Sequence, residues 1–115
     1  MFRPLLALAA LLAFLGPVAA ETAIVKYRGP VPLDSFKCDD VVRSSFIKRV
    51  CYDAPRAYMV IRLKDTYYQY CGIDRETVGL LLGTPEMGRF YNAKIKSHGS
   101  KSGIFSCRIH PVPAY

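Results

Sequence analysis

The sequence predicts an α+β domain: a small antiparallel three-stranded meander followed by two short helices, with short strand-like N- and C-terminal extensions. Three observations carry that prediction. β-Branched and aromatic runs are concentrated between residues 44 and 71, the composition that suits a pleated, half-buried surface. Two helix-start signals follow at Asp74 and Thr84. Four cysteines, Cys38, Cys51, Cys71 and Cys107, stand far apart, and an even count in a short chain reads as two disulfides.

Ahead of the domain, MFRPLLALAALLAFLGPVAA has one positive charge at Arg3, an apolar run from Leu5 to Leu15, a Gly16-Pro17 breaker and small residues up to Ala20. That layout reads as a secretory signal peptide over residues 1–20, removed after Ala20. An apolar run of about 11 residues is too short for a membrane-spanning helix, which needs roughly 20. No permanent span is expected after removal. Residues 21–43 form the N-terminal extension, in which AIVKY suggests a short strand. Pro30 and Pro32 then argue for an extended, looped entry through Phe36 and Cys38.

SSFIKRVCYD reads as the first strand of the meander, Pro55 as a turn, AYMVIRL as the second strand and TYYQYC as the third. Only Lys64-Asp65 separates the last two. Antiparallel partners must then be Leu63 with Thr66, Ile61 with Tyr68 and Met59 with Tyr70. This register gathers Met59, Ile61, Leu63, Tyr68 and Tyr70 on a core face and leaves Tyr58, Arg62 and Tyr67 on an open face. Asp74 caps a first helix with Val78, Leu81 and Leu82 at helical spacing, and Gly83 suits a left-handed end. Thr84 caps a second, with Pro85 at its first position and Glu86 favoured by the helix dipole. On it Met87, Phe90, Tyr91 and Ile95 line one stripe, Arg89, Asn92 and Lys96 project from the other side, and Lys94 intrudes on the apolar stripe. Residues 97–115 form the C-terminal extension, with IFSCRI as a strand-like run.

Sixteen basic against nine acidic side chains give a formal charge of +7, or +6 without Arg3. Such a balance attracts anionic partners, but the basic residues are scattered and form no polybasic arm. Zinc is not expected, because gaps of 12, 19 and 35 residues between the cysteines contain no C-x-x-C pair. No cofactor is expected either. The chain carries no G-x-S-x-G, H-E-x-x-H or phosphate-cradling glycine loop. His98 in a polar turn and His110 before a proline read as solvated. Asp39 and Asp40 are neighbours near a strand, where adjacent side chains diverge. These features point away from an enzyme.

From about Ser44 to Ile95 the chain resembles the KTSC domain, a module named for its occurrence at the C-terminus of some lysyl-tRNA synthetases. The residues that carry the likeness are Ser44-Ser45, Ile47, Tyr52-Asp53, Tyr68-x-Tyr70, Ile73, and Gly88-Arg89-Phe90-Tyr91-Asn92 followed by Ile95. The resemblance assigns residues 44–96 to this domain and implies an RNA-binding role. Export and the added cysteine-bearing extensions depart from the pattern. The ends of the outer strands of a meander lie about 9.6 Å apart, beyond disulfide reach of roughly 7 Å, so each bridge should tie an extension to the module. Whether Cys38 joins Cys51 or Cys71 stays open.

The resulting expectation is a periplasmic or secreted, disulfide-stapled, non-catalytic binding module of the cell envelope. Its partner would be an envelope protein or an anionic ligand, met by Tyr58, Arg62 and Tyr67 on the sheet and Arg89, Asn92 and Lys96 on the helix. Nucleic-acid binding, with tyrosines stacking on bases, is the alternative.

Overall fold

The computed structural model describes residues 21–99 and 103–115. The expected signal peptide over residues 1–20 lies outside them. The meander is present, but it is only half of the sheet. Six strands are joined in the order β2-β1-β6-β5-β4-β3, where β1 is Thr22–Val25, β2 Gly29–Pro32, β3 Lys37–Asp40, β4 Ile47–Asp53, β5 Tyr58–Leu63 and β6 Thr66–Cys71. The sheet is mixed, since β1 runs parallel to β6 through Val25 and Tyr67 while every other pair is antiparallel. The prediction of a three-stranded antiparallel meander with strand-like extensions is therefore corrected. The N-terminal extension supplies three full strands, and the C-terminal one forms turns rather than a strand.

Both corrections have local causes. Pro30 and Pro32 do not exclude a strand because β2 is an edge, where a missing N–H costs no ladder bond. In IFSCRI, Phe105 and Ser106 are adjacent and both buried, which strand alternation does not allow. Within the meander the predicted register holds: Met59 faces Tyr70, Ile61 faces Tyr68 and Leu63 faces Thr66. Lys64 takes φ 56° to close the two-residue turn.

Asp74 caps α1 (Arg75–Gly83), its carboxylate accepting from the Thr77 backbone N–H at 3.0 Å. Gly83 ends α1 without a left-handed φ; among the described glycines only Gly29 and Gly72 take one. α2 (Met87–Phe90) starts later than expected, at Met87 rather than Pro85, and continues as a wider π turn, Tyr91–Ile95. Tyr91 and Ile95 are buried and Lys94 is exposed on that turn. Among the described residues no helix is long and apolar enough to cross a membrane.

Each face of the sheet carries a core. The helices cover one face, where Ile47, Val50, Met59, Ile61, Tyr70, Leu81 and Ile95 are buried together. The other face is not open as expected. The sheet bends into a half-barrel, so that Glu21, just before β1, reaches Arg49 of β4 although β6 and β5 lie between. Ala23, Val25, Val31 and Leu33 thereby close over Cys51, Tyr58, Val60 and Cys71. Each fully buried aliphatic side chain contributes roughly 1.5–3 kcal/mol, so the N-terminal strands are part of the core.

Two disulfides fasten the extensions. Cys38 of β3 is bonded to Cys51, its directly opposed partner in β4, and Cys71 at the end of β6 is bonded to Cys107. Each bridge ties an extension to the meander, as the strand spacing implies.

Candidate ligand-binding groove

A groove of about 500 Å³ opens where the turn between β1 and β2 meets β6 and the C-terminal extension. Its position follows from three constraints. The Lys26 backbone N–H donates to the Tyr67 carbonyl at 2.9 Å, pinning the turn to β6. The Cys71–Cys107 bond brings Arg108 to the opposite wall. Gly99 allows the segment after the helices to approach β6 closely, since a Cβ there would lie 2.2 Å from the Tyr70 ring.

The turn itself is strained at one residue. Arg28 N–H donates to the Val25 carbonyl at 3.0 Å, and Tyr27 between them takes φ 69°. A bulky side chain in the left-handed region is an outlier that costs about 1–2 kcal/mol. Packing does not offset that cost, because Tyr27 is 90% exposed. Lys26 Nζ stands 5.3 Å from the Tyr27 ring centre and 5.6 Å from that of Tyr68, within cation–π range. Gln69, Tyr70, Ser106, Arg108 and Val112 complete the lining. Among the described residues no carboxylate or imidazole lines the groove, and its cysteine is held in a disulfide. Lys26 over the Tyr27 and Tyr68 rings, with Arg108 also on the lining, favours an anionic ligand that offers a flat or apolar surface.

The residues singled out from sequence are placed differently. Tyr58 is fully buried and donates its hydroxyl proton to Gln69 Oε1 at 2.7 Å; burial raises its pKa. It is not a surface contact, because the N-terminal strands and the Tyr115 ring cover it. Arg62 is exposed. Tyr67 is half-buried, and its hydroxyl accepts from Arg49 Nη1 at 3.4 Å. Arg49 also binds the Glu21 carboxylate and Asp40, and the hydrogen bond from Arg49 holds the exposed Glu21 carboxyl below the ordinary carboxylate range. On α2 and its continuation Arg89 pairs with Glu86 at 3.1 Å, while Asn92 and Lys96 are exposed. These helix residues and Arg62 lie on opposite sides of the sheet and do not converge.

Of the paired tyrosines, Tyr68 presents a partly exposed ring to the groove, whereas Tyr70 reaches its lining from the core. The Tyr70 and Tyr91 hydroxyls are 2.5 Å apart beneath the helices. Burial raises both pKa values, so neither is a base near neutral pH. His110 is packed rather than simply solvated: its ring rests against Gly72, and Nε2 meets the Ile104 carbonyl at 2.7 Å. His98 is exposed, edge-on to Phe105.

Sequence reasoning missed Lys26, Tyr27 and Arg108. The one local signal was a tyrosine placed where glycine would suit the turn.

No curated protein and no solved structure matches the chain. The stretch from Arg43 through the helices, residues 43–98, matches the family model of the KTSC domain, so the groove is built where extensions bearing Lys26, Tyr27 and Arg108 meet that domain at Tyr68.

Proposed function

We propose that this protein is an exported, non-catalytic binding module of the cell envelope that takes an anionic ligand in the groove of Lys26, Tyr27, Tyr68 and Arg108. The observation that carries the reading is Tyr27, a large ring held in a strained backbone conformation and left almost wholly in solvent. Strain that packing does not repay is retained where a side chain must be presented to something else. Lys26 and Arg108 supply the charge that draws an anion to that ring. Two disulfides in a chain of this length fit an oxidising compartment, in agreement with the signal-like leader. A lining that, among the described residues, holds no carboxylate, imidazole or free thiol supports binding rather than turnover.

The test is an NMR titration of the isotopically labelled, oxidised protein with a short heparin fragment as anionic probe and, in parallel, with an eight-nucleotide single-stranded RNA. Saturable shifts should centre on Lys26, Tyr27, Tyr68 and Arg108 with heparin and weaken with salt. Tight RNA binding is not expected. Shifts confined to Arg62, Arg89 and Lys96, or none, would overturn the reading. RNA affinity that falls steeply with salt and is lost on replacing Tyr67 and Arg62 would move it to nucleic acid.

A further inference from the structure

At the end of the half-barrel away from Arg49, the chain fills a second, chemically distinct site with its own side chain. Tyr115 lies with its ring centre 5.3 Å from Phe36 and 6.0 Å from Tyr58. The guanidinium groups of Arg28 and Arg56 face the same ring at 5.4 and 5.3 Å. Its hydroxyl donates to Asp53 Oδ2 at 2.7 Å, and Asp53 is 1% exposed. Two residues earlier, Arg28 Nη2 donates to the Pro113 carbonyl. The site thus reads a backbone carbonyl with Arg28, an aromatic ring with Phe36 and Tyr58, and a phenol proton with Asp53.

We propose that this socket is a peptide-binding site for a tyrosine preceded by an extended segment, that Tyr115 occupies it in cis, and that a tyrosine-bearing segment of a partner protein competes for it. Three observations separate this occupant from an ordinary core side chain. Tyr115 keeps 39% of its surface exposed. Residues 111–115 have no regular secondary structure, and no backbone–backbone hydrogen bond ties them to the rest of the described chain. Arg28 Nη1 is buried and has no hydrogen-bond partner among the described residues, so the socket holds a donor that Tyr115 and Pro113 do not use. The arm beyond the Cys71–Cys107 bond is short, and a short tether corresponds to an effective concentration of the order of mM. A competing segment must therefore exceed that affinity or arrive tethered.

The experiment compares the parent with Tyr115→Ala, both fully oxidised, by titration with acetyl-Pro-Val-Pro-Ala-Tyr-amide and its phenylalanine counterpart. The vacated socket should bind the tyrosine peptide saturably, with shifts at Phe36, Tyr58 and Arg28. The phenylalanine peptide should bind about tenfold weaker, for want of one hydrogen bond to a charged group. The parent should bind both at least tenfold more weakly than the variant does. In Tyr115→Ala/Asp53→Asn the preference for tyrosine over phenylalanine should shrink, because the amide oxygen still accepts the phenol proton but no longer as a charged group. Absence of saturable binding by a folded Tyr115→Ala protein, or equal binding of both peptides, overturns the proposal. Dimerisation of the parent that Tyr115→Ala abolishes also overturns it, because the competing segment would then be the arm of a second copy. Should Tyr115→Ala not fold, Tyr115→Phe keeps the ring and loses the Asp53 bond. The tyrosine peptide must then displace the arm at about one-tenth of the concentration the parent requires, or the assignment fails. None of these outcomes depends on the groove at Lys26 and Tyr27, whose heparin titration reports separately.

Discussion

Removing the Cys71–Cys107 bond should cost more stability than removing Cys38–Cys51, and the difference can be worked from the chain. In the chain-entropy description a cross-link withholds 2.1 + 1.5R ln n cal/mol/K from the unfolded ensemble. For sequence separations of 36 and 13 this gives about 3.8 and about 2.9 kcal/mol at 25 °C. The gap of about 0.9 kcal/mol depends only on the ratio of loop lengths. Packing losses should nearly cancel, since each bond has one fully buried partner, Cys51 or Cys71. The assay is urea unfolding of the oxidised parent, Cys71→Ala/Cys107→Ala and Cys38→Ala/Cys51→Ala, with slope and midpoint read separately. Should the Cys38/Cys51 variant be the weaker, or the Cys71/Cys107 variant lose less than about 1 kcal/mol, the C-terminal extension would be held by non-covalent contacts instead. Both bonds together represent about 7 kcal/mol, comparable with a whole domain's net stability of roughly 5–15. Full reduction should therefore unfold a large share of the protein, and a reducing compartment would suit it poorly.

Three further outcomes are expected. Tyr27→Gly should leave stability unchanged or raise it by up to about 1 kcal/mol as left-handed strain is relieved, while heparin-fragment affinity falls. A loss of stability on urea unfolding would show instead that the ring packs. Asp74→Ala should cost about 1 kcal/mol through loss of the α1 cap. The bond to Thr77 lowers the Asp74 pKa, so the cap's contribution is complete above the ordinary carboxylate range and is lost as pH falls through the lower native value; the variant should show a flatter acid limb in urea midpoint against pH. Burial raises the pKa of Tyr58, Tyr70, Tyr91 and Tyr115. Their contribution is complete below about pH 10 and is lost as pH rises through the native values, so tyrosinate absorbance at high pH should climb together with unfolding, and an early, fully reversible titration of all eight tyrosines would contradict this.

What the sequence made legible was local. The β5–β6 register is forced by a two-residue connection, and Asp74 needs only its own helix to act as a cap. The β1–β2 hairpin was hidden because Pro30 and Pro32 break interior strands but not edge strands, and nothing local marks β2 as an edge. The parallel contact of β1 with β6 joins residues 42 positions apart, which no periodicity reveals. Tyr58 shows the consequence. Its alternation was read correctly, yet the face it shares with Val60 and Cys71 is sealed by strands that fold back from another part of the chain. The groove was illegible for the same reason, since Lys26, Tyr68 and Arg108 meet only once the sheet has curled and Cys107 has closed.

The three tyrosines of TYYQYC show how position in the sheet, rather than residue type, decides use. Tyr70 faces the helices where the sheet is most covered, and its hydroxyl finds Tyr91. Tyr67, on the opposite face, is drawn into the ionic cluster of Arg49 and Glu21 at the rim of the half-barrel. Tyr68 shares Tyr70's face but lies two residues nearer the turn at Lys64, beyond full cover. It therefore keeps an accessible ring, and Lys26 comes to rest over that ring only because β1 has joined the sheet beside β6. The groove is thus made where cover ends and an extension arrives, so variants that detach an extension should abolish the heparin-induced shifts proposed for Tyr68 while leaving the Tyr70–Tyr91 pair in place.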